Sequence, residues 1–251
     1  MNYYIITGAS KGLGEAIVQS LFHEENAIIA ISRTVNEKLL KEANDNRVPL
    51  LFETEDLSVV EHLIPLMERV FQHIRLKDAQ SITFIQNAGV IEPIKPVGKM
   101  DHTELVRSVN VNLLAPMILA NQFVERTRSF AGKKVIVHVT SGAANRTVHG
   151  WSSYSSTKAG LERFTKTLAF EQKNESFPVQ AIAFSPGIMD TDMQQTIRTS
   201  QVEDFNEVKT FQNYYEKGML RSPQLVASKL LTLLQGNVES GKVYDIKSLL
   251  N

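Results

Sequence analysis

The amino-acid sequence predicts an α/β fold built on a doubly wound parallel sheet of seven strands. Short apolar runs rich in β-branched residues alternate with amphipathic stretches along the whole chain. The apolar runs do not alternate with polar residues, which is typical of parallel strands covered by helices on both faces. With 251 residues, 43% of them hydrophobic, the chain can bury the core of one domain, and no linker divides it. We therefore expect residues 1–251 to form a single domain.

Seven segments have the length and composition of strands. They are Tyr3–Thr7, Ala27–Ser32, Val48–Glu53, Ser81–Gln86, Lys134–Thr140, Val179–Phe184 and Lys242–Ile246. The amphipathic stretches between them predict helices over Gly14–His23, Val59–Ile74, Glu104–Arg128, Ser155–Lys173 and Pro223–Leu234. The stretch 187–218 has no regular period and is rich in Gln, Thr and Asn. We interpret it as an ordered substrate lid within the domain.

Composition and charge exclude several classes of function. The 27 Lys and Arg residues balance 27 Asp and Glu residues, so the chain has no basic footprint for nucleic acid. It contains no cysteine, which excludes disulfides and thiolate zinc sites, and its six His residues are too scattered to indicate a metal. No apolar run reaches the roughly 18 residues that span a bilayer, and the N-terminus has no targeting segment. We expect a cytoplasmic protein without a membrane or nucleic-acid partner.

A glycine-rich turn follows the first predicted strand and opens the first helix. Gly8, Gly12 and Gly14 are spaced as G-x-x-x-G-x-G, and the missing Cβ atoms let the backbone turn tightly and approach a pyrophosphate. The phosphates would then lie at the N-terminus of the helix. A glycine turn also fits a βα connection without a ligand, but its place in a repeated β-α pattern favours the dinucleotide site of a Rossmann fold. The other candidate contacts in this loop are Ser10, Lys11 and Leu13.

The end of the second strand indicates which dinucleotide binds. An acidic residue there would accept hydrogen bonds from the adenosine ribose, but the sequence has Ser32 followed by Arg33. Arg33 and Lys11 instead offer positive charge where the 2′-phosphate of NADP(H) would lie. The alternative is that both are ordinary solvated surface cations. We expect NADP(H) rather than NAD(H) as the cofactor.

Three further strand ends supply candidate cofactor contacts, each of which also fits an ordinary turn. Asp56, after the third strand, is placed to accept a bond from the adenine amino group or to cap a helix. The hydroxyl of Thr191 and the backbone of Ile188, after the sixth strand, are placed to meet the nicotinamide carboxamide. The remaining candidates beside the cofactor are Leu57, Asn87, Ala88, Gly89, Pro186 and Gly187.

A hydroxyl, a phenol and an ammonium are spaced so that they can meet over a carbonyl group. Tyr154 and Lys158 are four residues apart on a predicted helix and therefore share one face. The pKa of a free phenol is about 10, and we expect the adjacent ammonium to lower it. Ser141, at the end of the fifth strand, is a candidate to hold the substrate oxygen. A bare Tyr-x-x-x-Lys pair usually marks only a helix surface, but Ser141 and the glycine loop favour catalysis.

Taken together and in this order, these residues resemble the short-chain dehydrogenase/reductase superfamily over nearly the whole chain. The resemblance implies a catalytic tetrad of Asn112, Ser141, Tyr154 and Lys158, with Tyr154 and Lys158 also touching the cofactor. Asn112 would hold a water that relays protons through Lys158; the alternative is a polar side chain satisfied by backbone. One departure is Gln86, where the family often has Asn. The family usually forms dimers or tetramers, so we expect a homodimer or a homotetramer.

The C-terminal half resembles, more narrowly, the sepiapterin reductases and the bacterial benzil reductases that form (S)-benzoin. The resemblance lies in Pro186–Gln195, the pair Gly150-Trp151 and Ser240–Asp245. It implies that Asp245 anchors the substrate and that Trp151 is an aromatic wall for a flat molecule. The alternatives are a strand-end carboxylate with local hydrogen bonds and a half-buried loop anchor.

The sequence therefore predicts an NADPH-dependent carbonyl reductase that acts on a small-molecule vicinal diketone or a similar dicarbonyl. In this interpretation Ser141, Tyr154, Trp151 and Asp245 contact the substrate. A pterin reductase and an NADP-dependent alcohol dehydrogenase are the alternatives among enzymes. An NADP(H)-sensing regulator without turnover is the alternative from another class, but such proteins commonly lose the Tyr or the Lys that this chain retains.

Overall fold

The strands form one parallel sheet in a computed structural model that describes residues 1–250. They are β1 (Asn2–Thr7), β2 (Asn26–Ser32), β3 (Leu50–Thr54), β4 (Ser81–Gln86), β5 (Lys133–Val139), β6 (Gln180–Ser185) and β7 (Val243–Asp245). Their order across the sheet is β3-β2-β1-β4-β5-β6-β7, and each neighbouring pair is parallel. The predicted α/β fold with a doubly wound, seven-stranded parallel sheet is confirmed.

Helices cover both faces of the sheet. They are α1 (Gly12–Ser20), α2 (Glu37–Asp45), α3 (Leu63–Gln72), α4 (His102–Val109), α5 (Ala115–Arg126), α6 (Ser152–Glu171), α7 (Asp192–Arg198), α8 (Val208–Glu216) and α9 (Pro223–Gln235). The short 3-10 turns are Val60–His62, Gly142–Asn145, Gln172–Asn174 and Ile246–Leu249. Each predicted helix is present with shifted ends, because caps and 3-10 turns rather than apolar period decide where a helix stops.

Besides α7 and α8, which lie in the stretch without a regular period, two helical features differ from the sequence prediction. The apolar pattern does not predict α2, which begins where the side chain of Asn36 accepts a hydrogen bond from the Leu39 N–H. The predicted helix Glu104–Arg128 is divided, because a π-helical turn over Asn110–Leu114 lies between α4 and α5. Such turns are rare single-turn insertions in α-helices, and the apolar pattern of this stretch was continuous enough to predict one helix.

Apolar side chains on the two faces of the sheet form separate parts of the core. On one face, Ile6 and Phe184 pack with buried side chains of α1 and α9. On the other face, Ile5 and Phe84 pack with buried side chains of α3 and α5, including Phe123. Full burial of one such side chain contributes about 1.5–3 kcal/mol to folding. The sheet is therefore a rigid platform for whatever lies at its carboxyl edge.

The sheet order creates a crevice at the carboxyl ends of β1 and β4. These strands are neighbours, but the chain leaves β1 towards β2 on one side and β4 towards β5 on the other. Ligands of open α/β sheets bind at such a reversal. A third apolar cluster lies at the same end and includes Trp151, Tyr154, Phe205 and Phe211. No helix within residues 1–250 is long and apolar enough to cross a bilayer.

Candidate active site

The glycine loop lies at the crevice, between β1 and α1. Gly8 and Gly12 have positive φ angles of 66° and 59°, which residues with a Cβ rarely adopt. A Cβ on Gly14 would collide with the carbonyl oxygen of Gly8, so only glycine lets α1 start this close to the strand. Lys11 is the N-cap residue of α1, and its side chain makes no capping hydrogen bond. The backbone N–H groups there suit a pyrophosphate, and the loop fits a dinucleotide.

The turn after β4 joins the glycine loop to Asn112 and Lys158. The Asn87 Nδ2 group donates a hydrogen bond to the Gly8 carbonyl oxygen at 3.1 Å. A Cβ on Gly89 would lie 3.2 Å from the Asn112 Oδ1 atom and 3.4 Å from the Lys158 Nζ atom. Such contacts are tighter than most Cβ atoms tolerate, so a glycine keeps the backbone close to both side chains.

The ends of β2 and β3, at one side of the crevice, carry one carboxylate and one exposed cation. Ser32 ends β2 and is buried, whereas Arg33 beside it is exposed. The Asp56 Oδ1 atom accepts hydrogen bonds from the N–H of Ser58 at 2.9 Å and from its hydroxyl at 2.8 Å. Burial acts to raise the pKa of Asp56, but these bonds and the charges of Arg33 and Arg107 hold it below its ordinary value. Asp56 thus caps its own turn with one oxygen. The neighbouring Leu57 is buried.

The run that follows β6 lies over the glycine loop. A Cβ on Gly12 would be 3.5 Å from the methyl group of Thr191, so the two segments nearly touch. The Lys11 Nζ and Asp192 Oδ2 atoms form an ion pair at 2.7 Å, although their side chains are 68% and 71% exposed. An exposed pair contributes at most about 1 kcal/mol, so a phosphate can replace the carboxylate as the partner of Lys11. Pro186, Gly187 and Ile188 connect β6 to this contact.

Ser141, Tyr154 and Lys158 converge at the carboxyl edge of the sheet. Ser141 follows β5, and its hydroxyl oxygen accepts a hydrogen bond from the Ala143 N–H at 3.2 Å. Tyr154 and Lys158 lie one turn apart in α6 and are 6% and 3% exposed. The Lys158 Nζ group donates to the Val139 carbonyl oxygen at 2.9 Å and lies 5.8 Å from the centre of the Tyr154 ring. The phenol and the ammonium are therefore buried side by side, and the half-buried Ser141 hydroxyl lies within hydrogen-bond reach of the phenol.

Burial changes the pKa of both titratable groups in this set. It raises the pKa of Tyr154 above the ordinary value, and a hydrogen bond from Ser141 offsets only part of that rise. It lowers the pKa of Lys158 to about 8, because an ammonium loses its hydration in the interior. The expectation that the phenol pKa is lowered is wrong for the chain by itself, since burial is the largest influence on that pKa and raises it. The phenol stays protonated at neutral pH.

Asn112 lies in the π-helical turn between α4 and α5. Its Oδ1 atom accepts from the Val90 N–H at 2.9 Å, and its Nδ2 group donates to the Val90 carbonyl oxygen at 2.8 Å. The backbone therefore satisfies the side chain, as one alternative from the sequence proposed. Turns of this type are frequent at functional sites. The paired bonds fix Asn112 against the loop that carries Gly89, next to Lys158.

Comparison with known proteins identifies the family. A family model described as short chain dehydrogenase matches residues 2–202. The benzil reductase ((S)-benzoin forming) of Bacillus subtilis strain 168 is 42% identical over 250 residues, which cover 100% of both chains. This chain belongs to the short-chain dehydrogenase family. Membership implies an oxidoreductase with a nicotinamide cofactor, NAD or NADP.

Two further comparisons agree with this family. The sepiapterin reductase of Bos taurus is 28% identical over 96% of this chain and 92% of its own. The crystal structure of the KRED1-Pglu enzyme superposes with a TM-score of 0.83 at 30% identity, covering 97% of this chain and 100% of that one. The resemblances to short-chain dehydrogenases, to benzil reductase and to sepiapterin reductase that the motifs predict are confirmed.

Trp151 of this short-chain dehydrogenase is buried in an aromatic cluster that includes Tyr154. It is 5% exposed and stacks on Phe205 with ring centres 4.9 Å apart and 19° between the planes. Its edge contacts are with Tyr154 at 5.7 Å and Phe211 at 5.5 Å. Its indole N–H has no hydrogen-bond partner among the residues described. The predicted aromatic wall is close to Tyr154, but Phe205 covers one of its faces.

Asp245 ends β7, with only β6 between it and the strand that leads to Ser141. Its Oδ2 atom accepts from the Ser185 hydroxyl at 3.1 Å, and its Oδ1 atom accepts from the Lys247 N–H at 2.9 Å. These are the local bonds of the strand-end alternative. The carboxylate is partly exposed, so it retains accepting capacity at the carboxyl edge of the sheet.

The stretch 187–218 contains α7 and α8 and is tied to the rest of the domain by ion pairs. The Lys95 Nζ and Asp204 Oδ2 atoms are 2.6 Å apart, and the Arg146 guanidinium lies 3.0 Å from a Glu207 carboxylate oxygen. Sequence reasoning missed these four residues together with Phe205 and Phe211. Aromatic residues in an otherwise polar stretch were the available signal, since they need a buried place that an exposed loop does not offer.

Proposed function

We propose that the protein is an NADPH-dependent carbonyl reductase acting on a vicinal diketone or a similar dicarbonyl, with benzil reduced to (S)-benzoin as the model reaction. The observation that carries this proposal is the burial of Tyr154 next to Lys158, with the half-buried Ser141 hydroxyl within hydrogen-bond reach of the phenol. The substrate class is supported by the 42% identical relative that is named a benzil reductase.

The proposed reaction divides the work between the cofactor and two side chains. NADPH, when bound, supplies the hydride that adds to the carbonyl carbon. Tyr154 donates the balancing proton to the carbonyl oxygen, which becomes the hydroxyl of the product. Burial raises the pKa of Tyr154, so the phenol holds the proton that it must give. The Ser141 hydroxyl orients the same oxygen by a hydrogen bond.

Lys158 has two roles in this proposal. Its ammonium is anchored to the Val139 carbonyl oxygen, which leaves further N–H groups for the ribose hydroxyls of the cofactor. The same positive charge stabilises the phenolate that Tyr154 becomes after proton transfer. Asn112 holds the turn beside Lys158 through its two bonds to Val90, and its role in anchoring a relay water stays a prediction.

The cofactor would occupy the crevice, with its pyrophosphate on the glycine loop and the start of α1. Asp56 and Leu57 would face the adenine, the turn Asn87–Gly89 would line the middle, and Ile188 and Thr191 would meet the nicotinamide. We propose that Arg33 and Lys11 select NADPH over NADH. Support comes from the exposed guanidinium of Arg33 beside Ser32, where no acidic residue is present to accept ribose hydroxyls.

Arg33→Asp should weaken NADPH far more than NADH, because it replaces a phosphate partner by a like charge. We expect the preference for NADPH, taken as the ratio of kcat/KM values, to fall by about a hundredfold or more. Lys166→Asp, with the same charge change on an exposed position of α6, is the control and should leave the ratio unaltered. Equal use of both cofactors by the wild type would contradict the assignment.

We propose that Trp151 and Asp245 select the substrate. Phe205 already stacks flat on Trp151 at 4.9 Å, so this indole face accepts an aromatic ring. An aryl group of a diketone would replace Phe205 there, next to Tyr154. A second carbonyl beside the reacting one withdraws electrons and makes hydride addition easier. The hydroxyketone product lacks that activation, which disfavours further reduction to the diol.

We propose that residues 187–218 form a lid that must move for substrate to enter. Tyr154 is only 6% exposed, and Phe205 and Phe211 of this segment cover it together with Trp151. The ion pairs of Asp204 and Glu207 would hold the lid shut and exclude water during the reaction. Trp151 is the only tryptophan of the chain, so a change of its emission on diketone binding reports this movement. Unchanged emission at saturation would contradict it.

A pterin reductase is the second candidate, and the partly exposed Asp245 favours it, since a carboxylate suits the N–H groups of a pterin. Asp245→Asn should therefore reduce turnover of sepiapterin by about tenfold and leave benzil within about twofold. NADPH consumption with both substrates is the measurement, and Ser248→Ala nearby is the control. Strong turnover of sepiapterin with none of benzil would make the protein a pterin reductase instead.

The cytoplasmic location and the homodimer or homotetramer stay predictions. Two alternative functions, an alcohol dehydrogenase and a regulator that senses NADP(H), also stay predictions. Catalytic turnover of either substrate would exclude the regulator, because that reading requires binding without reaction.

A further inference from the structure

Glu162 is a buried carboxylate on the helix that carries Tyr154 and Lys158. It is 6% exposed and follows Lys158 by one turn, so the three side chains share one face of α6. Across residues 1–250 it takes part in no ion pair. A buried carboxylate is costly unless hydrogen bonds compensate for its lost hydration. The proposed reaction gives this group no task.

Both oxygens of Glu162 are held by the segment that contains Ser141. The Thr140 hydroxyl donates to the Oε1 atom at 3.1 Å, and the Asn145 Nδ2 group donates to the Oε2 atom at 3.2 Å. Thr140 immediately precedes Ser141, and Asn145 ends the 3-10 turn that follows it. The carboxylate therefore spans the Ser141 turn from one end to the other.

The other hydrogen bonds of the Ser141 turn lie mainly within the turn. The Ala144 N–H donates to the Ser141 carbonyl oxygen at 3.0 Å, and the Arg146 N–H donates to the Ala143 carbonyl oxygen at 3.3 Å. A Cβ on Gly142 would meet no atom within 4 Å, so open space adjoins the turn directly after Ser141. Bonds within a turn shape it but do not fix its position on α6. The two bonds to Glu162, together with a longer bond from the Thr140 hydroxyl to the Lys158 carbonyl oxygen at 3.5 Å, join it to that helix.

We propose that Glu162 is a positioning residue that fixes the Ser141 hydroxyl relative to the Tyr154 phenol. This inference rests on the proposed function, because it assumes that Ser141 and Tyr154 act on the same substrate oxygen. Glu162 touches neither substrate nor cofactor, and it acts only through the segment Thr140–Asn145.

A pH profile separates this role from a general loss of stability. The hydrogen bond from Ser141 acts to lower the pKa of Tyr154. Reduction needs the protonated phenol, so with NADPH saturating the rate falls as the pH rises through that pKa, as a second step above the one near pH 8 where Lys158 loses its proton. A displaced Ser141 loses the bond, the pKa rises, and the falling limb moves to higher pH. A variant that merely unfolds more easily would not move the limb in this direction.

The experiment compares Glu162→Gln and Asn145→Ala, alone and combined with Ser141→Ala. Each single variant should lower kcat by roughly tenfold and leave the KM for NADPH within about twofold. Each should also move the falling limb of the pH profile to higher pH. In the Ser141→Ala background neither should have a further effect, since the displaced group is already absent. Glu171→Gln, on the exposed end of the same helix, is the matched control.

The outcomes distinguish this inference from the proposed function. An unmoved limb, or an equal loss of kcat with and without Ser141, would overturn the role of Glu162. Normal rate and pH profile in Ser141→Ala itself would instead overturn the proposed function. If Glu162→Gln does not fold, Asn145→Ala decides alone, because Asn145 is exposed and its truncation leaves the core untouched.

Discussion

Tyr154→Phe is expected to bind NADPH as well as the wild type does while its kcat for benzil falls by about two to four orders of magnitude. The substitution removes only the hydroxyl that donates the proton. The ring keeps its contact with Trp151 at 5.7 Å, and Lys158 keeps its bond to the Val139 carbonyl oxygen. Stopped-flow measurement of NADPH consumption and a fluorescence titration of NADPH give the two quantities.

Tyr214→Phe is the matched control for this prediction. Tyr214 packs against Phe211 in the proposed lid and contacts no catalytic residue in the aromatic cluster. Its loss should change kcat by less than about threefold. Turnover of Tyr154→Phe at the wild-type level would contradict the proposed mechanism. In the part of the chain described, the aromatic cluster around Trp151 contains no other buried phenol that could donate the proton.

Lys158→Ala is expected to damage catalysis and cofactor binding together. Loss of phenolate stabilisation should lower kcat by about three orders of magnitude, and loss of the ribose contact should weaken NADPH by about tenfold. Lys166→Ala, two turns further along α6 and exposed, is the control. A variant with normal NADPH affinity would show that Lys158 does not hold the cofactor.

The pH dependence of NADPH binding tests the same residue. Burial lowers the pKa of Lys158 to about 8, so the ammonium loses its proton as the pH rises through that value. If the charged form holds the ribose, the wild-type Kd should rise above about pH 8, and the Lys158→Ala variant should lack this step. A Kd that is flat from pH 7 to 9.5 in the wild type would contradict the role given to the charge.

Most of the fold was open to prediction because parallel strands are buried on both faces. Their apolar runs stand out from the sequence, and Gly8 and Gly14 mark the crevice because a Cβ has no room there. The same reasoning reached Ser141, Tyr154 and Lys158, since helix spacing and strand ends can be read locally. Each of these features is encoded in a short stretch of the sequence, so it can be predicted without knowledge of the tertiary structure.

Features that depend on tertiary packing were not readable. The bonds of Asn112 to Val90, the stack of Phe205 on Trp151 and the bonds from the Ser141 segment to Glu162 join residues far apart in sequence. The predicted direction in which the Tyr154 pKa changes was wrong for the same reason. Spacing reveals that an ammonium is near, but only the folded chain reveals how completely the phenol is buried.

The enantiomeric composition of the benzoin formed from benzil and NADPH tests the central claim most directly. A buried proton donor and a fixed cofactor crevice allow the hydride to reach only one face of the carbonyl carbon. Chiral chromatography of the product, taken early and near neutral pH, should therefore give one enantiomer, (S)-benzoin, with little diol. Racemic benzoin, or no consumption of NADPH with benzil, would contradict the account.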